Sequence, residues 1–325
     1  MSASAHAATP ALAFDRVVVD YHRRHQPSVR AVADVSLNVR TGEMHGLVGE
    51  SGCGKSTLAR AATGLIPVAS GTIVFDGQHV TPLSRRPRIR HFRRLQMVFQ
   101  DPHSSLNPRR TIASQLADAL RRAGVVPPSQ RRIRIQELLD TVGIAPSAAN
   151  RLPGEFSGGQ RQRICIARAL ASDPKIIIAD EPISSLDASA QAQIANLLVS
   201  LTRELGLGVL LISHDLAIVQ HVADVVTVMY LGKIVEHAPK RALWEQPLHP
   251  YTEALLAAAP AHDGSGVLTQ GLPGEIPDPA NPPSGCRFHP RCRHAFEPCP
   301  NEEPALLPSG PQRSCACWLR VPTNG

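Results

Sequence analysis

The sequence predicts an α/β fold: a parallel sheet around a phosphate-binding loop, an antiparallel β layer beside it, an inserted helical subdomain and a Cys/Pro-rich C-terminal extension. Three observations carry this prediction. Gly49-Glu50-Ser51-Gly52-Cys53-Gly54-Lys55-Ser56-Thr57 fits the spacing G-x-x-x-x-G-K-[ST] and lies between a short apolar segment and a helical one. The β-branched run Ile176-Ile177-Ile178 leads to two adjacent carboxylates, Asp180 and Glu181, as a central parallel strand buried on both faces would. From Pro273 to Pro311 there are 11 prolines in 39 residues, too many for regular structure throughout.

The elements follow in chain order. Residues 12–43 alternate apolar and polar positions, as in Val35-Ser36-Leu37-Asn38-Val39, and Ser70 to Gly77 reads as a turn, a strand and a turn. Both suit an antiparallel β layer. Met44-His45-Gly46-Leu47-Val48 is the buried strand that enters the loop, and Leu58 to Gly64 is helical. Glycines at 49, 52 and 54 let backbone N–H groups curl around phosphate oxygens at the positive end of that helix. Lys55 is placed to bridge the β- and γ-phosphates and Ser56 to hold Mg²⁺, while Cys53 occupies a free position as a bystander. Residues 101–156 are mainly helical in period, and the helical subdomain runs to about residue 165. Residues 165–235 supply the remaining strands and helices. Asp180 at its strand end reaches Mg²⁺ directly or through water, and Glu181 polarises a water for in-line attack on the γ-phosphate.

Ser157-Gly158-Gly159-Gln160, followed by Arg161-Gln162-Arg163, resembles the signature motif of ATP-binding-cassette (ABC) ATPases. That resemblance implies a site shared between two subunits, in which the signature of one chain caps the γ-phosphate held by the other. A serine and two glycines before a helix offer hydroxyl and backbone donors suited to an anion. Further positions match. Gln100 before Asp101-Pro102 resembles the Q-loop glutamine, which senses Mg²⁺ and links to the membrane partner. Ser184-Ser185-Leu186-Asp187 resembles the D-loop, with Ser185 and Asp187 at the dimer interface. His214 in Ile212-Ser213-His214-Asp215 resembles the switch histidine, and Tyr21 the aromatic that stacks on adenine. No motif is broken, so the half-site is expected to be competent.

Five of the seven cysteines fall in the extension: Cys286, Cys292, Cys299, Cys315 and Cys317. A Pro-rich segment of this kind forms little core of its own and calls for a staple. Disulfides suit a cytosolic ATPase poorly and a metal is the better candidate, although the spacing is not that of a zinc finger; the alternative is unligated surface cysteines in a docking tail. The extension resembles the C-terminal region of ATPase subunits from oligopeptide/dipeptide importers, through His249-Pro250-Tyr251-Thr252-Glu253-Ala254-Leu255-Leu256, Gly274-Glu275-Ile276-Pro277 and Pro283-Ser284-Gly285-Cys286-Arg287-Phe288-His289-Pro290-Arg291-Cys292. Some members of that family bind a [4Fe–4S] cluster. The resemblance implies Cys286, Cys292, Cys299 and Cys317 as ligands. Cys317 is preferred because Trp318-Leu319 follows it, and Cys315 departs from the pattern as a rival fourth ligand.

The sequence Gln100-Asp101-Pro102-His103-Ser104-Ser105-Leu106-Asn107-Pro108-Arg109 is more similar to the F-type than to the D-type subunit of these importers. The implied partners are a D-type ATPase subunit in a heterodimer, two membrane-spanning permease subunits and an extracytoplasmic substrate-binding protein. The implied place is the cytoplasmic face of the cell membrane, with an ATPase domain over 12–260 and the extension over 261–325. Cargo is left open among dipeptides, longer peptides, nickel chelates and glutathione.

Composition agrees with this frame. The 325 residues are 43% hydrophobic and suggest about two domains. No apolar stretch approaches the roughly 18–20 residues that span a bilayer, and Met1 to Pro10 does not read as a secretory signal. The formal net charge is +7, with arginines at 85, 86, 88, 90, 93 and 94 and again at 121, 122, 131, 132 and 134. They lack interleaved aromatics and fall on helical stretches, so a solvated face, near lipid, is expected rather than nucleic acid. A non-transport ABC protein acting on nucleic acid or ribosomes, or an exporter ATPase, would share the catalytic motifs; the cysteine extension argues against the exporter.

Overall fold

Two β-sheets face each other across one of two apolar cores. The computed structural model describes residues 10–22, 28–83, 90–258 and 274–320. Arg85, Arg86, Arg88 and the residues before Pro10 lie outside them, as does the expected boundary near 260.

In chain order, β1 (Leu12–Tyr21) and β2 (Val29–Val39) form an antiparallel pair, and β3 (Met44–Val48) leads through the glycine loop into α1 (Lys55–Ala62). β4 (Ser70–Phe75) and β5 (Gln78–His79) complete a four-stranded antiparallel sheet in the order β2-β1-β4-β5. β6 (Leu95–Val98) opens the helical region, which holds α2 (Pro102–Ser105), α3 (Ile112–Ala123), α4 (Arg131–Thr141) and α5 (Gly158–Leu170). Then come β7 (Ile176–Asp180), α6 (Ala188–Leu205), β8 (Gly208–Ser213), α7 (Leu216–Val222), β9 (Val225–Tyr230) and β10 (Lys233–Pro239). α8 (Lys240–Glu245) and α9 (Pro250–Ala257) follow, and the extension contributes β11 (Leu307–Gly310) and β12 (Arg313–Cys315).

The large sheet has the order β11-β12-β10-β9-β3-β8-β7-β6, with parallel pairing from β9 through β6. β3, β7 and β8 are buried at every position because both faces are covered. In β7, Ile176 and Ile178 enter the core shared with the antiparallel sheet, while Ile177 and Ala179 enter the core under the helices. In β8, Leu210 and Ile212 take the first side, Val209 and Leu211 the second.

The extension departs from expectation. Its Pro-rich sequence predicts little core of its own, and it joins the core of the preceding domain instead. β12 pairs antiparallel with β10, matching Glu236 to Cys315 and His237 to Ser314. Phe288 is 2% exposed and packs edge-on against Tyr230, with ring centroids 5.3 Å apart, and at the same distance from Tyr251. Buried Glu236 accepts the N–H groups of Leu248 and His249 at 2.9 Å each and pairs with Arg313 at 3.3 Å.

Candidate active site

Four neighbouring parallel strands, β3, β8, β7 and β6, deliver the predicted residues at their carboxyl ends, where open α/β sheets bind ligands. The glycine loop leaves β3. Gly49 has φ 151°, and a Cβ there would stand 2.1 Å from the Met229 carbonyl oxygen. Gly54, with φ 105°, is the N-cap of α1, and its Cβ would meet the Ala31 carbonyl oxygen at 2.2 Å. Only glycine fits either place. Lys55 is buried and donates to the carbonyls of Gly49 (2.7 Å) and Glu50 (2.9 Å), with Cys53 Sγ 3.6 Å away. A ligand anion would take the ammonium over from those carbonyls. Burial raises the Cys53 thiol pKa, which suits a bystander rather than a nucleophile. Ser51 and Gly52 are exposed at the loop tip.

Ser56 Oγ donates to Asp180 Oδ1 at 2.7 Å, joining the loop to the end of β7. Burial raises the Asp180 pKa, opposed first by this hydrogen bond. A hydroxyl and a carboxylate so joined are the hard oxygen donors that Mg²⁺ takes. Glu181 follows in the left-handed region with φ 47°, its N–H donating to the Ile212 carbonyl at 3.0 Å. The turn aims its carboxylate at His214, whose Nδ1 lies 3.2 Å from Oε1. Gln100, after β6, donates from Nε2 to Ser184 Oγ at 3.2 Å, and Ser184 Oγ donates to the Glu181 carbonyl at 3.2 Å. One chain of contacts therefore joins Gln100, Ser184, Glu181 and His214. Ser184 was read only as part of the D-loop motif, and its role as the link is visible in the structure alone.

Tyr21 ends β1 half-exposed, its hydroxyl 3.4 Å from Thr57 Oγ1 on α1. The signature residues stand elsewhere. Ser157 is the N-cap of α5 and accepts from Gln160 N at 3.3 Å, while its own N–H donates to Gln160 Oε1 at 3.0 Å. Gly158 and Gly159 lie in the first helical turn rather than before it. A Cβ on either would press on Leu186 at 3.2 Å or Ala190 at 3.1 Å, so small residues let α5 and α6 approach. Ser185 and Asp187 are exposed, and Asp187 caps α6 by accepting Ala190 N at 2.9 Å. Gln162 is fully buried and donates to the Phe99 carbonyl at 3.4 Å, tying α5 to the approach to Gln100.

The seven cysteines are all unpaired. Burial, aided by Cys299, Cys317 and Cys292, pushes the Cys286 thiol up to about 11. Cys317 is raised by burial and then by Cys292 and Cys299. Cys315 is raised by burial and then by Glu236, on whose strand it pairs. Cys292 and Cys299 thus act on both Cys286 and Cys317, and Cys317 acts in turn on Cys315. Among the described residues, however, no three His, Cys, Asp or Glu side chains stand close enough to hold one metal ion. No described helix is long and apolar enough to cross a membrane.

Sequence reasoning missed the groups that hold the loop from behind. Arg291 Nη1 and Nη2 donate to Glu50 Oε2 (2.7 Å) and Oε1 (3.0 Å), and Tyr251 Oη accepts from Glu50 N at 2.9 Å. The only signal for them was their presence in the segments that resemble the importer extension.

Comparison with known proteins agrees with this geometry. Residues 32–184 match the ABC transporter family, and residues 235–299 match the oligopeptide/dipeptide transporter C-terminal region. The chain is 50% identical over 303 residues to the "Probable peptide ABC transporter ATP-binding protein y4tS" of Sinorhizobium fredii, covering 93% of this chain and 86% of that one. It is 46% identical over 301 residues to the oligopeptide transport ATP-binding protein AppF of Bacillus subtilis, covering 91% and 92%. Among solved structures, a dimeric post-hydrolysis state of an ATP-binding cassette bound to ADP and Pi superposes with TM-score 0.63 at 28% identity, over 71% of this chain and 99% of that one. The cbiO1 protein of Clostridium perfringens, part of the ABC transporter complex cbiONQ, gives 0.62 at 26%, over 73% and 91%. With an intact phosphate loop, a carboxylate pair and a signature helix in one ABC-type fold, and an extension of the oligopeptide/dipeptide kind, this chain belongs to the ATP-binding proteins, ATPases, of the peptide ABC transporter family.

Proposed function

We propose that this chain is the F-type ATP-hydrolysing subunit that powers import of di- or oligopeptides through separate membrane subunits. The observation that carries the reading is the convergence of Lys55 and Ser56, Gln100, Asp180, Glu181 and His214 at the carboxyl ends of four adjacent strands. Gly49 to Thr57 with Tyr21 would bind ATP. Ser56, Asp180 and Gln100 would hold Mg²⁺, which supplies charge neutralisation on the phosphates. Glu181 would accept a proton from the attacking water while His214 holds the Glu181 carboxylate and the γ-phosphate in register.

Ser157 to Gln160 would cap the nucleotide of a D-type partner, and the partner's signature would cap this one, with Ser185 and Asp187 along the shared surface. Closure is favoured because ATP binds the closed pair better than the open one. The contacts from α5 through Gln162 to Phe99, and from Gln100 through Ser184 to Glu181, support transmission from hydrolysis to the segment after Gln100. Beside that segment Leu65, Leu83 and Phe99 are exposed along one groove that also holds Thr63, Gln96 and Arg168, suited to a segment of a permease subunit at the cytoplasmic face of the membrane.

Cys286, Cys292, Cys299 and Cys317 would hold a [4Fe–4S] cluster. Their all-thiol donor set suits iron–sulfur ligation, and Cys292 and Cys299 stand near enough to Cys286 and Cys317 to raise the pKa of both. Bound there, the cluster would cross-link the extension. The function is tested in proteoliposomes that contain this chain, a second ATPase subunit and two permease subunits, with an external peptide-binding protein. ATP-dependent uptake of a labelled tripeptide that is lost in Lys55→Ala supports the reading. ATP hydrolysis without any peptide uptake would sink it.

A further inference from the structure

The C-terminal extension reaches the phosphate-binding loop at its second residue. Every polar group of Glu50 is held. Its N–H donates to Tyr251 Oη at 2.9 Å, its carbonyl accepts Lys55 Nζ at 2.9 Å, and its carboxylate takes two nitrogens of Arg291 at 2.7 and 3.0 Å. The Arg291 side chain is 4% exposed and that of Glu50 15%. Arg291 Nη1 also donates to Tyr230 Oη at 3.3 Å, and the guanidinium lies 5.9 Å from the ring centroids of both Tyr230 and Phe288. A single turn, His289–Arg291, presents it, closed by the Arg291 N–H on the Phe288 carbonyl at 3.0 Å.

A carboxylate in a loop that receives a triphosphate opposes its own ligand. The repulsion is poorly screened in a partly buried site. A bidentate arginine removes the charge conflict and also fixes the direction of the carboxylate, which a point charge on a flexible stem does not. Nothing on the loop itself does this, since Lys55 is engaged with carbonyls.

We propose that Arg291 is a positioning residue for nucleotide binding: it neutralises Glu50 and holds its carboxylate toward the extension, so that the docked extension sets the affinity of the loop for ATP. This rests on the reading of Gly49 to Thr57 as the ATP site. Arg291 acts through Glu50 and does not touch the nucleotide.

The test is a double-mutant cycle on the full-length chain, read as the equilibrium Kd of a fluorescent ATP analogue with Mg²⁺. Arg291→Gln weakens binding about tenfold when Glu50 is present and less than about twofold in the Glu50→Gln background. Arg291→Lys recovers part of the loss. The thermal midpoint of each variant accompanies the binding curve, so that a misfolded extension is recognised. Arg291→Gln binding as tightly as wild type overturns the proposal. Equal losses in the two backgrounds also overturn it, since the effect would then not pass through the Glu50 charge. Failure of the wild-type chain to bind the analogue removes the ATP-site reading itself.

Discussion

Glu181 occupies a backbone conformation that non-glycine residues rarely adopt, at φ 47°. The turn separates it from Asp180: one carboxylate faces Ser56, the next faces His214. Two adjacent acids thereby acquire different tasks from geometry alone. Glu181→Gln keeps the shape and the bond to Ile212 while removing the base. We expect it to bind ATP and to hydrolyse it about 10²–10⁴-fold more slowly, measured as phosphate release from the assembled pair. Normal turnover would remove Glu181 from the role. The motif residues were legible because each is set by spacing along a short stretch. Ser184 and Arg291 were not, because their partners Gln100 and Glu50 lie 84 and 241 residues away.

At the scale of elements, the strands that carry the site show the near-continuous apolar runs of a sheet covered on both faces, so β3, β7 and β8 could be read directly. Pairing in the extension could not. β11 and β12 are short and hold little apolar pattern of their own, and they join the large sheet because β10 offers a free edge. Phe288 anchors that docking. Phe288→Ala is expected to cost about 3–5 kcal/mol in urea unfolding, with the loss of its contacts to Tyr230 and Tyr251. A change below about 1 kcal/mol would mean that the extension docks without it. The cysteines make a separate prediction. Protein purified without oxygen should carry about four irons and four sulfides per chain, lost in Cys317→Ser and kept in Cys315→Ser. The preference for Cys317 rests on the Trp318-Leu319 that follows it, whereas Cys315 is a strand residue paired opposite Glu236. Stoichiometric zinc, or no metal, would overturn the cluster.

At the scale of the whole molecule, buried His249 and half-buried His237 are histidines whose protonation opposes folding. Burial lowers the pKa of His249 to about 3 and of His237 to about 4, against an ordinary value of 6.5. His249 Nδ1 accepts the Tyr251 N–H at 3.0 Å, and His237 Nδ1 lies 2.8 Å from Thr227 Oγ1. The unfolded chain binds these protons first, so their contribution is complete above about pH 6.5 and falls as pH drops toward 4. Each unit of pKa difference is worth about 1.4 kcal/mol. The thermal midpoint should therefore decline steadily from pH 7 to pH 4.5, and His249→Gln should flatten that decline. A midpoint independent of pH over this range would show that neither histidine is held neutral.

The amino-acid sequence by itself determined the α/β class, the apolar strands that lead into the site, and the loop, carboxylate and signature motifs. Each of these is encoded within a few consecutive residues by spacing and apolar period. Tertiary structure alone decided that the extension extends the main sheet, that Cys315 pairs opposite Glu236 in it, and that Arg291 holds Glu50. Those outcomes depend on which surfaces meet when a remote segment buries Phe288 against two tyrosines. Burial and ion pairing between distant segments leave no period in the chain, because the contact exists only once both partners are folded.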